Sequence, residues 1–157
     1  MATETIPLDG RAHKTQSAFR LEYAAGTVLK APVARVWARM TDAAGFPGWN
    51  STVKSIEGRI AAGETIKLIA TIAPARVFTL KVTVFEPERR MVWSDGNAMF
   101  KGVRTYTFAA RPDGGTVFTM AEVYTGLMLP MIAGSLPDFG PSFEQYLADL
   151  KKATEAG

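Results

Sequence analysis

The chain has 157 residues, of which 47% are apolar and 21% are charged, and this balance predicts a single soluble globular domain. No segment approaches the roughly 20 consecutive apolar residues of a membrane-spanning helix, so membrane insertion is not expected. The formal net charge is +3, but Lys and Arg are dispersed along the chain, which argues against nucleic-acid binding. The lack of cysteine excludes disulfides and thiolate metal sites, and it favours a cytoplasmic location.

The first part of the chain mixes charged and polar residues without an apolar run. We therefore expect residues 1–16 to be a flexible leader, followed by one domain over residues 17–157. The first strand is predicted at 18–30, because apolar residues such as Phe19 and Tyr23 alternate there with polar ones.

A short helix is predicted next. Pro32 suits a first helical turn, and apolar residues recur at helical spacing from Val33 to Met40. Glycine and proline then interrupt the pattern, so that Phe46 and Trp49 are expected in a loop or in a second short helix.

From residue 53 onward the pattern changes to a period of two, and turn residues divide it into short segments. The connections are too short for parallel crossovers, which predicts an antiparallel meander. Its six strands are expected at 53–59, 63–72, 77–86, 89–95, 101–111 and 115–127.

The last segment is predicted to be a long helix, because its apolar residues recur at helical spacing: Phe139, Phe143, Tyr146, Leu147 and Leu150. The predicted fold class is therefore α+β, with elements in the order β-α-α-β6-α. We expect a curved seven-stranded antiparallel sheet that wraps around the long C-terminal helix and encloses an internal cavity.

Three stretches resemble a known family. They are KAPVARVW at 30–37, TDAAGFPGWN at 41–50, and GGT with EVYTG within 114–126. With them the chain resembles the START-like (SRPBCC) superfamily of helix-grip proteins, in particular its polyketide cyclase/dehydrase-like branch. The resemblance implies a helix-grip fold with a cavity for a small hydrophobic ligand. It implies no single activity, because that superfamily includes ligand-binding proteins, lipid-transfer proteins and polyketide cyclases.

The alternation within the last two strands predicts which side chains face the helix. Each strand places one charged residue among apolar ones on its inward face. If the hairpin between them has an odd loop length, the inward residues form three opposed pairs. These pairs are Arg104 with Glu122, Tyr106 with Met120, and Phe108 with Phe118.

A charge on the inward face is costly unless it is paired, which makes Arg104 and Glu122 notable. In one interpretation the pair orients a polar group of a ligand, such as a carboxylate, phenol or carbonyl, with Tyr106 or Tyr124 as hydrogen-bond donor. In the other, the pair is a structural ion pair near the sheet edge, or another register places both residues in solvent. The same four residues are the candidates for acid–base catalysis.

The predicted cavity lining combines aromatic side chains, one methionine and the charged pair. It consists of Tyr23, Trp93, Arg104, Tyr106, Phe108, Phe118, Met120, Glu122, Tyr124, Phe143 and Tyr146. Plain core packing is the alternative for the aromatic members. No cofactor and no metal is expected, because the only histidine, His13, lies in the predicted leader and no phosphate-binding or nucleophile motif is present.

Three functions remain compatible with these features. The one we favour is binding of a small hydrophobic molecule, such as a lipid, a polyketide or another aromatic compound. A cyclase, dehydratase or hydrolase that uses the same cavity is the first alternative. A co-chaperone-like interaction protein is the second, and it would show an exposed apolar patch and little internal volume. The sequence leaves the oligomeric state open, and a homodimer is compatible with it.

Overall fold

One curved antiparallel sheet of eight strands dominates the computed structural model, which describes residues 5–155. The strands are β1 (His13–Ser17), β2 (Arg20–Leu29), β3 (Val53–Glu57), β4 (Thr65–Ala70), β5 (Phe78–Glu86), β6 (Arg90–Gly96), β7 (Lys101–Ala110) and β8 (Thr116–Thr125). Their order across the sheet is β1-β2-β8-β7-β6-β5-β4-β3. The six predicted strands of the meander are therefore confirmed as β3 to β8, and β8 returns to lie beside β2.

The eighth strand was not predicted, because β1 lies mostly in the segment expected to be a flexible leader. Its residues pair with β2, from His13 opposite Ala24 to Ser17 opposite Arg20. All five side chains of β1 are exposed, so the strand is held by main-chain hydrogen bonds and leaves no apolar alternation in the sequence. The prediction of a flexible leader is thus wrong for residues 13–16, whereas residues 1–4 lie outside the described part of the chain.

The helices within residues 5–155 are α1 (Val33–Met40), α2 (Phe46–Trp49), α3 (Leu129–Ile132), which a short 3₁₀ helix follows at Ala133–Ser135, and α4 (Gly140–Glu155). The predicted short helix after Pro32 and the predicted long C-terminal helix are both present. Helix α4 lies in the concave side of the sheet and buries Phe143, Tyr146, Leu147 and Leu150 there, as its apolar stripe predicted. Among residues 5–155, no helix has the length and apolar character needed to cross a membrane.

The register between β7 and β8 is the predicted one. Arg104 lies opposite Glu122, Tyr106 opposite Met120, and Phe108 opposite Phe118. The rows continue across the neighbouring strands, so that Trp93 on β6 and Tyr23 on β2 extend the row that contains Arg104 and Glu122. Because alternate residues face the same side of a sheet, this row points as a whole toward α4.

Candidate functional site

A cavity of about 140 Å³ lies between the concave face of the sheet and the first half of α4. Its walls are mainly aliphatic and aromatic, and strands β3 to β8, the β4–β5 loop and the segment around the start of α4 all contribute to them. The lining includes Val53, Leu68, Ala70, Ile72, Phe78, Leu80, Trp93, Phe100, Met120, Leu136, Phe139, Phe143 and Tyr146, together with the polar residues Arg76, Asp95, Arg104, Glu122, Tyr124 and Ser142.

Seven of the eleven predicted lining residues border this cavity, namely Trp93, Arg104, Met120, Glu122, Tyr124, Phe143 and Tyr146. The other four are buried in the packed core instead. Phe108 packs against Trp37 of α1 and against Phe118, with ring centroids 5.1 Å and 5.3 Å apart. Tyr23 packs against Phe143 and donates a hydrogen bond to Asp138 at 3.3 Å.

Arg104 and Glu122 form the charged centre of the cavity wall. Both Nε and Nη2 of Arg104 lie 2.9 Å from Oε1 of Glu122. Their side chains are only 21% and 12% exposed, so the pair is largely removed from water. The guanidinium also lies 5.1 Å from the centroid of the Phe143 ring, which adds a cation–π contact from α4. Strand pairing and helix packing therefore hold the pair in one geometry.

Burial and mutual attraction oppose each other in this pair. Burial alone would lower the pKa of Arg104, but Glu122, Tyr106 and Tyr124 together outweigh this effect and raise the pKa well above its usual value. Burial raises the pKa of Glu122 above its ordinary value of 4.5, and the positive charge of Arg104 offsets only part of that rise. A further negative charge beside Glu122 would therefore be unfavourable.

Three tyrosine hydroxyls surround the pair. The hydroxyl of Tyr124 lies 3.5 Å from Oε1 of Glu122, and the hydroxyl of Tyr146 donates to that of Tyr106 at 3.1 Å. Burial raises the pKa of all three tyrosines, so each stays protonated near neutral pH and keeps its capacity to donate a hydrogen bond.

Asp95 is a charged cavity residue that was not among the predicted lining residues, because it lies where the predicted strand 89–95 meets the next turn. It lies near the end of β6, opposite Gly102, and borders the cavity beside Tyr124. Burial raises its pKa, and the positive charge of Arg76 offsets part of the rise. A signal was present, since Asp95 follows Trp93 by two residues and therefore shares its inward face.

Gly102 provides the room for this arrangement. A side chain there would begin 2.9 Å from Oδ1 of Asp95 and 3.4 Å from the Tyr124 ring. The missing side chain thus lets a carboxylate and a phenol approach each other across β7.

Within residues 5–155, no three histidine, aspartate or glutamate side chains converge on one point. The cavity polar groups instead consist of one ion pair, one further carboxylate, Arg76 and several hydroxyls. This set suits hydrogen bonding to an organic molecule.

The chain is similar in sequence and in fold to known proteins. The family model described as polyketide cyclase / dehydrase and lipid transport matches residues 20–155. A protein from Rhodobacter sphaeroides superposes with a TM-score of 0.67 and 22% identity, with 92% of this chain and 98% of that chain covered. A START superfamily protein from Mycobacterium smegmatis gives a TM-score of 0.63 and 15% identity, with 86% and 97% covered.

The fold is also similar to that of the di-domain ARO/CYC protein BexL, with a TM-score of 0.67 and 16% identity. That alignment covers 90% of this chain and 52% of BexL. No curated protein matches the sequence. The match over residues 20–155 shows that this chain belongs to the family described as polyketide cyclase / dehydrase and lipid transport.

Proposed function

We propose that this protein binds a small, largely apolar molecule in the cavity, with a polar group of that molecule held at Arg104 and Glu122. The observation that carries the proposal is the composition of the wall, which is aliphatic and aromatic except for a polar cluster at one place. Apolar walls with a few placed polar groups are typical of small-molecule sites, in which the polar groups fix the orientation.

The volume limits the size of the molecule. A cavity of about 140 Å³ is close to the roughly 150 Å³ engineered cavity that holds a benzene molecule. The enclosed part therefore suits one ring with a small substituent. The exposed lining residues Ile72 and Arg76 belong to the β4–β5 loop, so a longer molecule would extend past this loop into solvent.

The internal volume counts against the co-chaperone-like alternative, which predicted a nearly filled interior. Exposed apolar side chains are present, among them Leu127 and Met131 at 64% and 76% exposure. Leu127 precedes α3 and Met131 lies within it, so neither is on the outer face of the sheet that this alternative would use.

Binding is tested by native mass spectrometry of the purified protein and by extraction of any bound compound. In parallel, backbone amide NMR spectra are recorded during titration with para-ethylphenol. We expect a co-purifying aromatic or aliphatic compound, or saturable shifts at cavity residues such as Trp93 and Phe143. The proposal would be overturned if no bound compound were found and no saturable shift were observed.

A matched pair of variants locates the site. Ala70→Phe fills the cavity from β4 and is expected to abolish the shifts, because Ala70 borders the cavity. Ala109→Phe adds the same ring to an exposed position on β7 and should leave them unchanged. Equal binding by the two variants would place the ligand elsewhere.

A second candidate is acid–base chemistry on the bound molecule. It is supported by the raised pKa of Glu122 and by the Tyr124 hydroxyl 3.5 Å from the carboxylate. The test is to incubate the extracted compound with the wild type and with Glu122→Gln and to follow its mass and chromatographic retention. Conversion of the compound by the wild type alone supports this candidate. If neither protein converts the compound, the cavity binds it without chemistry.

A further inference from the structure

The charges that border the cavity cancel. Two are positive, Arg76 and Arg104, and two are negative, Asp95 and Glu122. The positive charge deepest in the wall is already used, since Arg104 is bound to Glu122 through two nitrogen atoms. An anionic ligand would therefore find no free cation in the enclosed part, and it would lie against two carboxylates.

The hydrogen-bonding capacity of Glu122 is only half used. The contacts with Arg104 and Tyr124 all involve Oε1. Its other oxygen, Oε2, accepts no hydrogen bond from any group in residues 5–155. The site thus offers a free acceptor, and a ligand group that meets it must donate a hydrogen bond.

A neighbouring group can donate a hydrogen bond to the oxygen atom of such a ligand. The hydroxyl of Tyr124 donates to Oε1 of Glu122 at 3.5 Å and stays protonated. Because Oε1 also accepts from Arg104, the Tyr124 hydroxyl can turn from this long hydrogen bond and donate to a ligand oxygen nearby. A hydroxyl group both donates and accepts, and it carries no charge. It matches this set of partners better than a carboxylate, which only accepts, or an ether, which cannot donate.

We propose that the cavity selects a neutral hydroxyl-bearing molecule, such as a phenol or an alcohol on a small apolar body, and rejects carboxylates of the same shape. This inference rests on the proposed function, because it names the chemical class of the molecule bound at the same site. The hydroxyl would donate to Oε2 of Glu122 and accept from Tyr124. A ligand carboxylate at that position would bind only with uptake of a proton, because it would face Glu122 and Asp95.

The test compares three ligands with nearly the same apolar body. Para-ethylphenol is neutral and donates, para-ethylanisole is neutral and cannot donate, and para-ethylbenzoate is an anion near neutral pH. Dissociation constants are measured for the wild type by NMR titration. We expect para-ethylphenol to bind about tenfold or more tightly than either of the others, because each alternative leaves a buried polar group unmatched.

The outcomes separate the inference from the proposed function. Affinities within about threefold of one another would leave the cavity as a binding site but overturn the hydroxyl selectivity. Tightest binding of para-ethylbenzoate would overturn it as well, in favour of an anionic ligand. If none of the three ligands bound and no compound co-purified, the proposed function itself would fail, and the selectivity with it.

Removing the negative charge of Glu122 should invert the order of the ligand affinities. Glu122→Gln removes the negative charge and leaves Arg104 without a counter-ion, so para-ethylbenzoate should gain affinity by about tenfold or more relative to the wild type. The matched control is Glu57→Gln, the same change at an exposed position on β3 away from the cavity, which should keep the wild-type order. An unchanged order in Glu122→Gln would show that the ion pair does not set the selectivity. If Glu122→Gln does not fold, the wild-type comparison of the three ligands still decides the question.

Discussion

Replacing Arg104 by methionine removes the positive partner of a carboxylate that is only 12% exposed. Breaking a fully buried ion pair costs about 3–5 kcal/mol, because the remaining charge has no partner. The cost here should be smaller, about 2–3 kcal/mol, since Glu122 keeps some contact with water and Tyr124 lies within reach of its carboxylate. Urea unfolding followed by tryptophan fluorescence measures the change in the free energy of unfolding.

The pH dependence of this cost identifies its origin. Burial already raises the pKa of Glu122 in the folded protein, and removing Arg104 takes away the charge that opposes the rise. The folded variant therefore binds more protons than its unfolded chain between the unfolded pKa, near 4.5, and the raised folded pKa. Its stability should fall as pH rises through this window, and its deficit relative to the wild type should shrink toward acidic pH.

The opposite single variant and the double variant complete the cycle. Glu122→Leu leaves an arginine that cannot lose its proton, so its cost should not disappear at acidic pH. Replacing both residues, as Arg104→Met with Glu122→Leu, leaves no buried charge and should cost less than either single change. Additive single costs, or a deficit of Arg104→Met that is independent of pH, would refute the view that the pair is buried and coupled.

Two further substitutions test other parts of the site and its supports by thermal or urea unfolding. Tyr106→Phe keeps the ring but removes the hydroxyl that accepts from Tyr146 at 3.1 Å, and we expect a loss of about 1 kcal/mol. No measurable loss would mean that water replaces this hydrogen bond. Gly126→Ala should cost more than about 2 kcal/mol, because its φ of 138° is unfavourable for alanine and the new Cβ would collide with the carbonyl oxygen of Met99. The control Gly48→Ala has open space around it in α2 and should be neutral or slightly stabilising, and equal losses in the two would contradict the clash.

Much of the sheet could be predicted because its alternation is long and regular. In β8 the inward positions Phe118, Met120 and Glu122 form an unbroken series, and in β7 Arg104 and Tyr106 do the same. Once one face of each strand is assigned to the core, a slip by one residue would turn every inward side chain outward. Local pattern and hairpin geometry therefore allowed the pairing of Arg104 with Glu122 as one of two interpretations, and the structure contains this pair.

Strand β1 could not be predicted, because nothing in its side chains records its pairing. Its residues are exposed and polar, and its main-chain pairing with β2 is supplemented by surface contacts such as the 3.5 Å hydrogen bond from Thr15 to Glu22. Any exposed segment next to a strand edge can form such bonds if the rest of the fold brings it there. Its presence is a consequence of the assembled sheet.

The sequence by itself determined the order of the elements from β2 to β8, the long C-terminal helix and the inward faces of β7 and β8, and it left the pairing of Arg104 with Glu122 as one of two interpretations. Only the tertiary structure decided which inward side chains border open space. Phe108 is covered by Trp37 of α1 and Phe118 packs against Phe108, whereas Glu122 and Asp95 border the cavity near the start of α4. The physical reason is that alternation is local, whereas the space beside a side chain depends on where a helix distant in sequence comes to rest.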